Sequence, residues 1–407
     1  MSSSPVARQT RGLVLVNLNL VDVVGKRVLP DHVVVIEDDA IARVGPRSDF
    51  GSCISSVGCE RLDLGGNYLV PGISDVHVHL LSSFAEDFGG KDALEAQPPA
   101  IQAHLASLQA RRALDSGITL LRAVGESSYQ DVALKHAVTR GWTIGPQVVT
   151  SGHIIIRTAG HGSGSSTCTE VDGPWEMLRA VREEARNDVD FVKLMGTGGV
   201  ASFRDPHNVP QFLDEELVMA VKAAGGLGKP VAVHAGESRF IERCAQLGVR
   251  SIEHGYELDE RAASAMAENG TYLVPTLVVT SDEEYIAERP PWIQERARAV
   301  RDAHVQSYRT ALAAGVKIAV GTDVPDFWRY THREMRLLAE MGMSNWDVMA
   351  AAVVTSAELC GLPRGGVEVG SPANLIAVSV DPSQSLDFEH PSLVIARGVV
   401  VRNGSGI

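Results

Sequence analysis

The sequence predicts an α/β protein, a (β/α)8 TIM barrel carrying a small β-sandwich domain formed by both termini. Between about residues 70 and 360, short β-branched runs alternate with longer stretches rich in Ala, Leu, Glu and Arg. That alternation is the pattern of parallel β/α units. Eight such runs occur, and eight units imply a closed barrel. Strand-like segments also stand at both ends of the 407-residue chain, so the two termini are expected to build one β domain.

Residues 1 to about 10 are polar and read as a flexible lead. Short apolar runs at 13–17, 32–36 and 40–44 follow, separated by the acidic Glu37-Asp38-Asp39 and the Gly45-Pro46 breaker, the punctuation of strands and turns. They assign residues 1–70 to the first part of the sandwich. The barrel is expected over 71–362. Its strands are the run ending at His79, then 118–121, 147–150, 190–195, 230–234, 249–254, 271–276 and 317–322, with helices over about 129–140 and 175–187. Apolar runs at 373–378 and 393–401 place the rest of the sandwich in 363–407.

Composition narrows the function. Lys and Arg number 37 against 50 Asp and Glu, a net charge of −13, which argues against nucleic acid or an anionic membrane as partner. No apolar run approaches the roughly 20 residues that span a bilayer, and Met1-Ser2-Ser3-Ser4-Pro5 does not open a secretory signal. Five cysteines without a CxxC pair do not form a disulfide framework, and a reducing cytoplasm is expected. A barrel of this kind is expected to assemble as a homo-oligomer.

The most informative residue is Lys193, in Phe191-Val192-Lys193-Leu194-Met195. A desolvated ammonium needs a partner or must lose its charge. Carboxylation of the amine by CO2 solves the problem, because the carbamate is an anion able to bridge two metal ions. Ligands of the right type surround it in the chain. His77-Val78-His79 closes an apolar strand, where i and i+2 face the same way. His234, His254 and Asp323 close three further strands, toward the rim where barrel enzymes do chemistry.

The expected centre therefore holds two divalent cations, zinc by default. His77 and His79 hold the first, His234 and His254 the second, Lys193 bridges them, and Asp323 binds the first while facing a bridging water. Two cations lower the pKa of that water toward about 7. Asp323 then acts as base toward the attacking oxygen and as acid toward the leaving amine.

These residues resemble the amidohydrolase superfamily, in its binuclear branch with a carboxylated lysine. Within it the chain is most similar to the imidazolonepropionase-related amidohydrolases, which include Xaa-Pro and Xaa-Arg/Lys dipeptidases and ochratoxin-type amidases. The resemblance is carried by Pro71-Gly72 before the HxH pair, by Val192 to Val200 around Lys193, by Ile252-Glu253-His254-Gly255 and by Gly321-Thr322-Asp323. It implies hydrolysis of a C–N bond next to a carboxylate-bearing group.

Substrate-facing residues are expected on the loops. Ala159-Gly160-His161-Gly162 resembles a glycine–histidine motif of these relatives, so His161 is expected to polarise the carbonyl or meet a substrate carboxylate, with Arg157 beside it. Tyr256 is placed to donate to an oxyanion, and Arg239 and His332 are further candidates. His234-Ala235-Gly236-Glu237 departs from the His-Ala-His or His-Ala-Tyr of many relatives. It resembles instead a deaminase motif in which the glutamate protonates a ring nitrogen; the other readings of Glu237 are a contact to a cationic substrate group and a place at the start of the following helix. Aromatic segments at 290–292 and 324–330 stand out in a chain with 5% aromatic residues, as a lid, a pocket wall or a subunit contact.

The function expected is metal-dependent hydrolysis of a small-molecule amide, in a dipeptide or an N-acyl amino acid. The alternatives are deamination of a heterocyclic amine by a mononuclear site, hydrolysis of a carbamate, lactam or ester, and a non-catalytic relative on the same barrel. The last would be expected to have lost ligands, and here all six positions are filled.

Overall fold

The computed structural model describes residues 12–51, 60–201 and 206–404. The polar lead at 1–10 lies outside the described residues, as do Cys53 and Cys59.

The two ends of the chain meet in one eight-stranded sheet. Its order is Val399–Asn403, Leu393–Ala396, Leu375–Val378, Tyr68–Pro71, Leu13–Asp22, Arg27–Glu37 and Ala40–Pro46, with Glu60–Asp63 also paired to Leu13–Asp22. Alternation along the first strand explains its position. Leu13, Leu15, Leu18 and Leu20 enter a cluster with Ile36, Ile41, Leu375, Leu393 and Ile395, while Val14 and Val16 pack with Val33 and Phe50 on the other side. The N- and C-terminal segments thus share one apolar core, each buried aliphatic side chain being worth about 1.5–3 kcal/mol. The described strands form a single hydrogen-bonded sheet. The run expected as one strand over 393–401 is two, because Arg397 and Gly398 take positive φ of 48° and 74° and turn the chain back on itself.

The β/α region follows the expected order, with strands Ile73–Val78, Ile118–Ala123, Gln147–Thr150, Val192–Met195, Val231–Ala235, Ser251–His254 and Tyr272–Val274. Pairing between consecutive strands is parallel. They fall into a three-stranded and a six-stranded sheet rather than one closed ladder. The break lies in the third strand. Gln147–Thr150 pairs with the second strand, Gly152 turns at φ 63°, and Ile154–Ile156 pairs with Val192–Met195 instead. The eighth segment, 317–322, makes one bridge, Leu273 to Ile318. It reaches the first strand through Val76 N to Val320 O, 2.8 Å, and Asp323 N to His77 O, 2.9 Å.

Helices Gln130–Thr139 and Pro174–Arg186 fall where expected. No described helix is long and apolar enough to cross a membrane.

Candidate metal centre

Strand alternation delivers the candidate ligands to one place. Val192 and Leu194 enter the core between sheet and helices, so Lys193 between them points to the opposite side and is 1% exposed. Val233 and Ala235 do the same for His234, and Val78 for His77. His254 breaks the alternation. Its φ of 70° turns the chain so that consecutive Glu253 and His254 both face inward. Asp323 (φ 56°) and Thr276 (φ 53°) share this conformation, and left-handed backbone in such residues clusters at functional sites.

One oxygen of Asp323 lies 3.3 Å from His79 Nε2 and 3.6 Å from His77 Nε2, and the other lies 3.9 Å from His254 Nε2. Single donor atoms of His77, His254 and Asp323 all fall within 4.8 Å of one another. The His234 ring sits 4.5 Å from the His254 ring, and its buried Nε2 has no hydrogen-bond partner. The other ring nitrogens are engaged from behind. His77 Nδ1 donates to Glu253 Oε2 at 2.8 Å, His79 Nδ1 donates to the Gly125 carbonyl at 3.0 Å, and His254 Nδ1 pairs with Thr276 Oγ1 at 2.7 Å. Such partners fix the tautomer and leave Nε2 free to bind a metal.

The charges fit the same purpose. Burial drives the His77 imidazole down to about 4 and pushes His234 and His254 well below the usual histidine range, so all three present neutral lone pairs. Burial opposes the Asp323 carboxylate, but His77, His79 and Lys193 outweigh it and hold the group ionised. Burial also lowers Lys193 to about 8. Among the described residues the Lys193 amine has no hydrogen-bond or ion-pair partner, although Glu253 and Asp323 act on it electrostatically. Neutral imidazoles, one ionised carboxylate and a lysine readily deprotonated suit divalent cations.

The sequence matches the amidohydrolase family over residues 68–405. The chain belongs to that family. It is therefore a hydrolytic enzyme. Ochratoxinase of Aspergillus niger is 29% identical over 425 aligned positions, covering 93% of this chain and 84% of that protein. A prolidase solved with N-methylphosphonate-L-proline superposes at a TM-score of 0.85, with 28% identity over 96% of this chain and all of the other, 100%. A Xaa-Pro dipeptidase with bound methionine gives a TM-score of 0.82, with 30% identity over 96% and 99% of the two chains. These neighbours, of the same family, carry the barrel with an additional domain.

The remaining candidates of this amidohydrolase divide in two. His161 joins the centre, its ring 4.9 Å from His234 and its backbone N–H held by Gln211 Oε1 at 2.9 Å. Tyr256 joins it too, buried and stacked on His254 at 5.1 Å between centroids. His332 does not. It lies in helix Phe327–Glu340 and donates through Nε2 to the Ser116 carbonyl at 2.9 Å, just before the second strand begins and so at the opposite end of the barrel. Arg239 is exposed on helix Ser238–Gln246. Glu237 is that helix's N-cap, accepting from Phe240 N at 2.7 Å, which satisfies an orphan amide and commits one carboxylate oxygen. Arg157 bonds the neighbouring Thr158 carbonyl at 3.1 Å.

Sequence reasoning missed the support behind the ligands. Glu253, fully buried, accepts from Arg122 Nη2 at 2.7 Å, Ser251 Oγ at 2.6 Å and His77. Arg122 also donates to the Val76 carbonyl at 2.6 Å. The signal was Glu253 itself, an acid in an apolar run one residue before His254, which only a buried cation such as Arg122 accounts for. Burial opposes the Glu253 charge, while Arg122 and His77 hold it well below the usual carboxylate range. Removing one partner of a buried ion pair costs about 3–5 kcal/mol. Glu253→Ala is therefore expected to lower stability by about that much, measured by urea unfolding, and to weaken metal retention. An unchanged midpoint would show the pair to be dispensable.

Proposed function

We propose that this amidohydrolase is a binuclear, metal-dependent amide hydrolase acting on a dipeptide or N-acyl amino acid. One observation carries the reading: a fully buried lysine without a hydrogen-bond or ion-pair partner among the described residues, beside a cluster of neutral imidazoles and one ionised carboxylate. An amine in that setting loses its charge or becomes a carbamate, and a carbamate needs cations on both sides. His77, His79 and Asp323 would hold one, His234 and His254 the other, with carboxylated Lys193 shared. Zinc is the expected metal, given these donors. Cations bound there supply a lowered water pKa and polarisation of a carbonyl.

The chain's own groups do the rest. Asp323, ionised and partly exposed, accepts the proton of the attacking water and returns it to the leaving nitrogen, so that the amine departs neutral. His161, opposite on the His234 side, donates to the carbonyl oxygen as negative charge develops there. Glu253 and Arg122 keep His77 oriented throughout. The names of the ochratoxinase, prolidase and dipeptidase relatives favour an amide as the scissile group.

The test is metal content and turnover of protein purified without chelator, against a panel of dipeptides and N-acyl amino acids. About two ions per chain, with free amino acid released and the activity lost on chelation, is the expected result. Turnover that survives complete metal removal, or release of ammonia alone, would overturn the proposal.

A further inference from the structure

Two consecutive residues beside the centre hold buried polar atoms that no described residue satisfies. Asn208 is 6% exposed, yet neither its Nδ2 nor its Oδ1 has a hydrogen-bond partner among the described residues, and neither has His207 Nε2. An unpaired buried amide is destabilising, and its persistence calls for a role.

The backbone around it leaves little freedom. Asn208 N donates to Gly198 O at 3.0 Å, Gly198 N to Val209 O at 3.1 Å and Gln211 N to Gly196 O at 2.8 Å, while Thr197 bridges Pro210. Residues 208–211 thus run back, antiparallel, along the segment that leaves the Lys193 strand. Asn208 itself has φ 60°, a conformation asparagine tolerates.

The side chain stands against Gly236, the first residue beyond strand Val231–Ala235 that carries His234. A Cβ on Gly236 would stand 1.8 Å from Asn208 Oδ1 and 3.1 Å from Nδ2. Gly236 lies two residues beyond His234, and the amide fills the space a side chain at 236 would take. His207 extends the wall, its ring 5.3 Å from Tyr256, which stacks on His254.

We infer that Asn208, flanked by His207, is a specificity residue that binds a second amide of the substrate, beside the scissile one. Its unpaired amide offers one donor and one acceptor to such a group and carries no charge. The contact lies outside the reacting atoms, so it contributes binding rather than chemistry. This inference rests on the amide-hydrolase reading above.

The experiment compares three substrates, a dipeptide, its N-acetyl derivative and its C-terminal amide, with metal-loaded wild type, Asn208→Gly and Gly236→Ala. Glycine keeps the positive φ at 208 while removing the amide. Alanine at 236 displaces the amide while keeping it in the chain. Wild type is expected to favour one amide-bearing substrate through a KM about tenfold lower. Both variants are expected to lose that preference, with kcat on the plain dipeptide within about twofold and metal content unchanged. Equal KM values in wild type, or a preference that survives Asn208→Gly, would overturn the inference while leaving the hydrolase reading intact. A panel that wild type does not cleave would overturn both.

Discussion

Lys193→Ala is expected to lower bound metal from about two ions per chain to one or none, and activity to that of chelated protein. Lys193 sits between Val192 and Leu194 with 1% exposure, and burial depresses its amine to about 8, which favours the neutral form that the proposed carboxylation requires. Alanine would remove the proposed shared anion, leaving the other candidate ligands to face two cations without a bridge to offset their repulsion. The fold is expected to survive, because deleting an unpaired buried amine relieves a desolvation cost. Lys193→Arg keeps a positive charge that cannot be carboxylated and is expected to fail equally. Elemental analysis with circular dichroism decides the matter. Wild-type metal content in Lys193→Ala would sink the bridging role.

Asp323→Asn is expected to reduce kcat by about a hundred- to ten-thousandfold, the range for a positioned acid–base group, with the protein still folded. Asparagine preserves shape and tolerates the φ of 56° found there, so strain is not the cause. It cannot accept the proton, and its neutral amide removes the anionic oxygens that lie against His77, His79 and His254. Measuring metal content alongside kcat separates the two effects. A variant with full metal and full kcat would remove Asp323 from the reaction.

Periodicity made the ligands legible. A lysine, a histidine or an aspartate at the close of an apolar run must face inward when its neighbours face out, as Val192 and Leu194 show for Lys193. His161 and Tyr256 were legible for a weaker reason, their nearness in the chain to a motif and to His254. The other candidates are held in other ways, each for its own reason. His332 is carried by a helix to a backbone carbonyl at the far end of the barrel. Glu237 is drawn to a helix N-terminus by Phe240 N. Arg239 is left exposed on the following helix, and Arg157 turns to the Thr158 carbonyl. The destination of a loop or helix side chain depends on what packs against it, and no local pattern encodes that.

The same division separates what the sequence determined from what only the tertiary structure decided. The sequence determined the order of β/α units, the meeting of strands from both termini and the candidate ligand set, because burial periodicity is local and repeats along each strand. The tertiary structure decided the break of the third strand at Gly152, the Arg122–Glu253–His77 relay and the fit of Asn208 against Gly236. Each of these joins residues remote in the chain or turns on a single backbone angle, and a one-dimensional pattern carries neither.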